Sequence, residues 1–304
     1  MATEIGRLLT AMLTPFTPDG AVDYRKAGEL AALLCDDGSD GVVVFGTTGE
    51  APTLTDQEKI ELVRAVRAAI PGKNVVAGVG TNSTHHSVEM AEKAMQAGAD
   101  ALLAVVPYYS KPPQEGMYQH FKAIAEAGPT IMYNIQGRTG INMSVQTTLR
   151  CADLPGILGV KEASGSMDQM SLICAAKPEG FRLWAGDDGF TLPLLAVGGY
   201  GVICVTSHIA GGSMKRLIEA YLAGDVETAR SIHLRLAPVI NALMTTASNP
   251  VPVKMVVNEL GFNAGPFRLP LTPLTADELA KVMKVVRDAG DVITFKAGVR
   301  VAQR

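Results

Sequence analysis

Cysteine is scarce in this chain, four residues in 304, and the four stand far apart at Cys35, Cys151, Cys174 and Cys204. No two share metal-ligand spacing and no disulfide framework is implied, which fits a reducing compartment. Charge is sparse too: 27 Lys and Arg against 30 Asp and Glu give a net charge of -3. Without a basic excess there is no electrostatic footprint for nucleic acid. No apolar run is long enough to span a bilayer, and the longest are strand-sized. The opening MATEIGRLLT has no basic region followed by a long apolar stretch, so it does not read as a secretory leader. A cytoplasmic protein with neither nucleic-acid nor membrane partners is expected. What remains, 47% hydrophobic and 19% charged residues, is ordinary for a folded globular chain.

The order of the apolar residues is more telling than their number. Short apolar segments recur at 8–13, 41–46, 74–80, 101–107, 130–135, 157–161, 181–186 and 201–206. Strands covered by helices on both faces look like this. The spacing of roughly 20 to 35 residues suits one strand–helix unit each. Helix signals fill the gaps. Thr55 with Glu58 forms a capping-box pattern that Pro71-Gly72 closes, and a helix opening at Thr84 runs to Gly98. Ser144, Ser166 and Asp187 are further candidate caps. Eight such units predict a closed (β/α)8 TIM barrel over 1–225. An open doubly wound sheet would carry a glycine-rich turn after its first strand, and none follows LLTAML. From 226 to 304 the strand pattern stops. Three helical stretches predict a C-terminal helical region, with 266–275 as a proline-rich connector and the segment from Ile293 onward partly disordered.

In such a barrel the active site lies at the C-terminal ends of the strands. There the sequence places Thr47 and Thr48 between glycines, Tyr108 and Tyr109, Tyr133, Arg138, Lys161, Gly186 with Asp187 and Asp188, and Ile203. Lys161 follows ILGV, so its stem rises from an apolar strand into the barrel mouth. An amine that loses its proton there can attack a ketone and form a Schiff base. Taken alone, a lysine that merely reaches solvent is the default reading. Tyr133 is either a core tyrosine or a proton carrier beside an imine. Thr47 and Thr48 either cap a turn or hold a small carboxylate. Arg138 either sits on the surface or forks a carboxylate. The adjacent His85 and His86 do not share a helix face, and Asp187-Asp188 has no third ligand nearby, so no metal site is expected. His120, His208 and His233 are isolated packing or surface residues.

Taken in order, GTTGE (46–50), PYYSKPPQEG (107–116), YNIQGRTG (133–140), GVKEASG (159–165), GDD (186–188), GYGVICV (199–205) and NPVPVK (249–254) resemble the dihydrodipicolinate synthase and N-acetylneuraminate lyase family. The resemblance covers nearly the whole chain. It implies a TIM barrel with a helical C-terminal region, assembled as a tetramer of two tight dimers. It implies a Schiff base between pyruvate or a larger 2-keto acid and Lys161, with no cofactor and no metal. Thr47 then resembles the relay hydroxyl, Thr48 the carboxylate holder and Tyr133 the general acid and base. Tyr109 resembles the tyrosine lent across the dimer interface, and Gly186 and Ile203 resemble site-lining positions. Arg138 in RTG resembles the arginine that binds aspartate 4-semialdehyde in the synthases. The implied reaction is the condensation of pyruvate with that aldehyde, on the lysine and diaminopimelate route.

Three departures stand out. Gln136 replaces a usual proline, which relaxes the loop that bears Arg138. Where lysine-inhibited members carry histidines and a glutamate, this chain has Asp56, Lys59 and His86, although Asn82 and Tyr108 match; weak lysine feedback is expected. Cys204 replaces a common serine, with an effect on packing only. Two competing readings remain. One is a lyase or dehydratase for a 2-keto-3-deoxy sugar acid, the other a keto-acid sensor without chemistry, although no residue of the implied machinery is missing.

Overall fold

The computed structural model describes residues 4–297. Eight parallel strands close in sequence order into a barrel. They are β1 (Leu8–Ala11), β2 (Gly41–Val44), β3 (Asn74–Gly78), β4 (Ala101–Val105), β5 (Thr130–Asn134), β6 (Ile157–Glu162), β7 (Arg182–Ala185) and β8 (Gly201–Cys204), with β8 pairing back onto β1. Seven lie inside the apolar segments, and β6 runs one residue past its segment, to Glu162.

Alternation along the strands builds two cores. Leu9, Val43, Val76, Ile131, Tyr133, Trp184 and Ile203 point into the barrel. Their neighbours Leu8, Val42, Val75, Met132, Leu183 and Val202 pack outward under the helices. Cys204 belongs to the outer set and Ile203 to the inner, as alternation requires. Burial pushes the Cys204 thiol well above its ordinary pKa, so it packs as a small apolar group. The N-terminal end of the barrel is plugged. The Trp184 indole N–H donates to the Gly6 carbonyl at 3.0 Å, and its ring meets Tyr200 edge-on at 5.2 Å. Arg7 and Arg182 lie 4.2 and 4.6 Å from the centre of the same Tyr200 ring.

The helices begin where short polar side chains can accept backbone N–H groups. Thr55 and Glu58 form a full capping box ahead of Asp56–Ala69. Ser83, one residue before the expected start, caps Thr84–Gln96, because its hydroxyl reaches the His86 N–H. Ser144 and Ser166 cap Val145–Ala152 and Met167–Ala176. Asp187 caps only a single turn, through Gly189. Asp188 does something else: its buried carboxylate accepts the Val205 and Thr206 N–H groups and fastens the end of β7 to the end of β8.

Beyond the barrel, Val226–Thr245, Val251–Glu259 and Ala276–Asp288 are helices. Of the segment expected to be partly disordered, residues 293–297 are ordered. Thr294 and Phe295 donate backbone N–H groups to Ile209, the Thr294 hydroxyl donates to Asp37, and Phe295 is buried. Residues 298–304 lie outside the described residues. Among the described residues no helix is long and apolar enough to cross a membrane.

His208 is a packing residue, fully buried. Its Nε2 accepts the Leu13 N–H at 3.1 Å, so Nδ1 carries the proton and donates it to the Val205 carbonyl at 2.8 Å. Burial lowers its pKa to about 4, and the same cause lowers that of His120 to about 4. The unfolded imidazole titrates near 6.5. The native advantage is therefore whole above that pH and is lost as pH falls toward 4. For His208 the loss is of order 3 kcal/mol. Urea midpoints measured from pH 7 to pH 4 should fall across this window, and His208→Gln should flatten the fall. An unchanged slope in the variant would rule out this histidine as the source.

Candidate active site

The C-terminal mouth is where the backbone is most strained. Phe45, Glu50, Tyr109 and Lys111 take left-handed conformations there without being glycine. The turn after β2 is the tightest. Glu50 sits at φ 58°, and a Cβ on Gly49 would come within 3.0 Å of the Phe45 Cα and 3.1 Å of the Met12 carbonyl oxygen. This turn presents Thr47 and Thr48.

A buried ion pair holds the turn from below. Lys254, from the helix Val251–Glu259, reaches Glu50 at 2.7 Å, and both side chains are 0% exposed. The Lys254 ammonium also donates to the Thr14 carbonyl at 3.1 Å and lies 4.3 Å from the centre of the Phe16 ring. Burial lowers the pKa of Lys254, and the attraction of Glu50 opposes that shift. The second Glu50 oxygen accepts the Arg268 N–H at 3.2 Å. The Arg268 guanidinium clamps Glu58 at 2.6 and 2.9 Å and the Thr53 carbonyl at 2.8 Å. The Arg268 guanidinium is the main cause that holds the Glu58 carboxyl down at about 2. The proline-rich connector is thus a strap across the turn.

Asn249 completes the mouth. Its Nδ2 donates to the Thr48 Oγ1 at 2.9 Å, and its carbonyl accepts from the Arg138 guanidinium at 3.2 Å. With its oxygen already accepting, the Thr48 hydroxyl keeps its own proton free to donate. The loop that bears Arg138 does not need the missing proline at Gln136. Residues Gln136–Thr139 form one helical turn that ends at Gly140 with φ 73°, and the Thr139 hydroxyl donates to the Ile135 and Ile141 carbonyls.

Lys161 and Tyr133 face each other across paired strands, in register. The Lys161 Nζ stands 4.4 Å from the centre of the Tyr133 ring, and Lys161 is 5% exposed. Gly186 makes room for it, since a Cβ there would come within 3.1 Å of the lysine Cε and Cγ. Ile203 lies deeper, in the same inner cluster as Tyr133. One residue on, alternation turns Asn134 and Glu162 outward, where they bond at 3.1 Å. Gln169 and the Ser164 N–H complete the donors to this buried carboxylate at 3.0 and 2.7 Å. The outer pair therefore locks together the strand ends whose inner side chains are Tyr133 and Lys161.

A cavity of about 550 Å³ opens at this mouth, lined by Thr47, Tyr133, Arg138 and Thr139 at one end. Among the described residues, the side chains of Thr47, Tyr133 and Lys161 have no hydrogen-bond partner. The structure thus gathers Thr47, Thr48, Tyr133, Arg138, Lys161, Gly186 and Ile203 into one region. Of these, Thr47, Tyr133 and Arg138 line the cavity, while Thr48, Lys161, Gly186 and Ile203 do not; Tyr109 stands apart at 89% exposure. Reasoning from sequence missed Asn249, Glu50, Lys254 and Arg268. The first three stand inside quoted motifs, so the signal was present without a role. Among the described residues no group of His, Cys, Asp or Glu is placed to hold a metal ion. An amine, a phenol, hydroxyls and a guanidinium in one apolar mouth can bind a carboxylate and present a nitrogen nucleophile to the adjoining carbonyl.

The dihydrodipicolinate synthetase family profile matches residues 4–289. A 4-hydroxy-tetrahydrodipicolinate synthase of Moorella thermoacetica is 52% identical over 94% of this chain and 98% of its own length. The corresponding protein of Thermosynechococcus vestitus is 49% identical over 95% and 98%. Among solved structures, the dihydrodipicolinate synthase of Cyanidioschyzon merolae with lysine bound superposes with a TM-score of 0.91. It is 45% identical, and the match covers 94% of this chain and 98% of that one.

Replacing Lys254 tests the support beneath the turn. Lys254→Met strands the Glu50 carboxylate and should cost roughly 3–5 kcal/mol in denaturant unfolding. Adding Glu50→Gln should recover part of that loss. Additive losses in the double variant would show that the two side chains are not energetically coupled.

Proposed function

Because the chain belongs to the dihydrodipicolinate synthetase family, we propose that it condenses pyruvate with aspartate 4-semialdehyde to give 4-hydroxy-tetrahydrodipicolinate and water. The observation that carries this reading is the unpaired Lys161 amine beside the Tyr133 ring. The lysine nitrogen attacks the keto carbon of pyruvate, and loss of water leaves an iminium on Lys161. The Thr48 hydroxyl, turned by Asn249, donates to the pyruvate carboxylate. Tyr133 and Thr47 carry protons to and from the adduct. Removing a methyl proton gives an enamine whose carbon attacks the aldehyde. The amino group of the second substrate then displaces Lys161 as the ring closes. Arg138 pairs with that substrate's carboxylate, and its anchorage on Asn249 supports the role. Gly186 and Ile203 shape the floor. None of these steps calls for a cofactor.

Tyr109 enters this scheme from a second copy of the chain. Its exposure and its left-handed backbone suit a side chain that is presented outward and becomes useful only in a neighbour's mouth. A dimer is then the smallest complete enzyme, and a tetramer of two such dimers is the assembly we expect, in the cytoplasm. Lysine is expected to inhibit weakly, because the matching cleft carries Lys59 and His86.

Turnover with pyruvate and aspartate 4-semialdehyde, followed through a coupled reductase, should be brisk. Borohydride with pyruvate should add one reduced pyruvyl group at Lys161, and Lys161→Ala should abolish it. An adduct without turnover would favour the alternative, a lyase or dehydratase acting on a 2-keto-3-deoxy sugar acid, the lyase releasing pyruvate from it. Absence of both would sink the Schiff-base reading. Tyr109→Phe should lower kcat at least tenfold while changing the KM for pyruvate less, since only a relay hydroxyl is lost. An unchanged kcat would remove Tyr109 from the relay.

A further inference from the structure

On the outward face of β5 and β6, behind Tyr133 and Lys161, four side chains close a circuit of hydrogen bonds. The Asn134 Nδ2 donates to the Asn142 Oδ1 at 2.8 Å. The Asn142 Nδ2 donates to the Gln169 Oε1 at 2.8 Å, and the Gln169 Nε2 donates to the Glu162 Oε2 at 3.0 Å. The Asn134 Nδ2 closes the circuit on the same carboxylate at 3.1 Å. The direction of each amide is fixed. The Glu162 carboxylate only accepts, and the Met143 N–H, which the Asn134 Oδ1 accepts at 3.0 Å, only donates. Asn134 and Glu162 are fully buried, so neither could turn to water if its partner were lost. The circuit joins parts of the site that lie apart in the chain. Asn134 follows Tyr133, Glu162 follows Lys161, and Asn142 and Met143 end the loop that begins at Arg138. Gln114, the first residue of the helix after the Tyr109 loop, grips the same end of that loop. Its Nε2 donates to the Asn142 carbonyl at 2.9 Å, and its Oε1 accepts the Ser144 N–H at 3.0 Å.

Condensation makes a demand that imine formation does not. Addition of pyruvate needs Lys161 and the threonine turn. Bond formation between the two substrates also needs the enamine on Lys161 and the aldehyde held by Arg138 at reacting distance, where an error of about 1 Å can cost ~10²-fold. Among the described residues no hydrogen bond joins Lys161 to Arg138, so their spacing is set indirectly. From this geometry we infer that Asn134, Asn142 and Glu162 are positioning residues for the condensation step. Their circuit fixes the Arg138 loop against the strand that carries Lys161, and so sets where the aldehyde meets the enamine. The three side chains lie outside the cavity and act through Arg138 and Lys161. The inference rests on the reaction proposed above.

Asn142→Ala opens the circuit at a half-buried corner and leaves the groups inside the mouth untouched. In the full-length protein, kcat/KM for aspartate 4-semialdehyde should fall roughly tenfold or more, while the rate at which cyanoborohydride traps the pyruvate iminium should change less than about twofold. Equal losses in both, as a general loosening would give, or no loss of turnover would overturn the inference. A second test reverses the circuit. Glu162→Gln sets amide against amide, Asn134→Asp sets carboxylate against carboxylate, and each should lower turnover. In the double variant the one carboxylate stands at position 134, and flipping the amides of Asn142 and Gln169 gives every donor an acceptor again. The double variant should regain most of the loss of the worse single variant, and additive losses would overturn the inference. Hydrogen exchange reads the coupling without turnover. Glu162→Gln should speed exchange of the amides of 138–144 roughly tenfold, although the substitution lies on another strand. If that variant does not fold, Gln169→Leu opens the same circuit from the neighbouring helix. Failure of the parent to turn over the aldehyde would count against the proposed function alone. The exchange measurement then still decides the circuit, and unchanged exchange in 138–144 overturns it.

Discussion

The pair between Glu50 and Lys254 is the constraint on which the active mouth depends. A barrel of eight short strands sets where loops begin but not how they end. The turn after β2 needs a non-glycine residue at φ 58° and a close backbone approach at Gly49. Neither is a conformation that a free loop would hold. The pair fixes it by making any other arrangement strand a buried charge. Such a pair does little for net stability, because desolvation consumes most of the attraction. Its value is geometric, since it permits one position of the turn and therefore one position of Thr47 and Thr48.

The same economy runs through the strand ends. Because side chains alternate, each strand that carries a reactive group inward also carries a neighbour outward. At β5 and β6 those neighbours are Asn134 and Glu162, which bond to one another. At β7 the carboxylate of Asp188 reaches the backbone after β8. Reactive groups are left without partners on the inside while the scaffold is saturated with hydrogen bonds on the outside. This is how an under-bonded lysine and phenol can stay in place without ligands of their own.

The barrel was legible in the sequence because strands buried on both faces write their positions as apolar runs, and the capping serines and threonines mark where helices start. Lys161, Tyr133 and the threonines were legible because they stand at strand ends, where topology alone brings them together. Asn249 was not: its role is a contact with Thr48 across 201 positions, and no local pattern encodes it. Lys254 reads in sequence as one more helical lysine, since nothing local says that it is fully buried. The order of residues 293–297 was illegible for a related reason. A short terminal stretch shows no sign of the Ile209 carbonyl and the Asp37 carboxylate that receive its donors.

The strap formed by Arg268 has a consequence for the order in which the molecule is made. The last barrel strand ends at Cys204, so all eight strands can pair before the residues that lock the mouth have been synthesised. Glu50 must wait for a partner 204 positions later and for the Arg268 N–H 218 positions later. In sequence order, a closed barrel with an unset Thr47–Thr48 turn is complete before its locking residues exist. The reactive amine thus precedes in the chain the residues that fix the turn beside it.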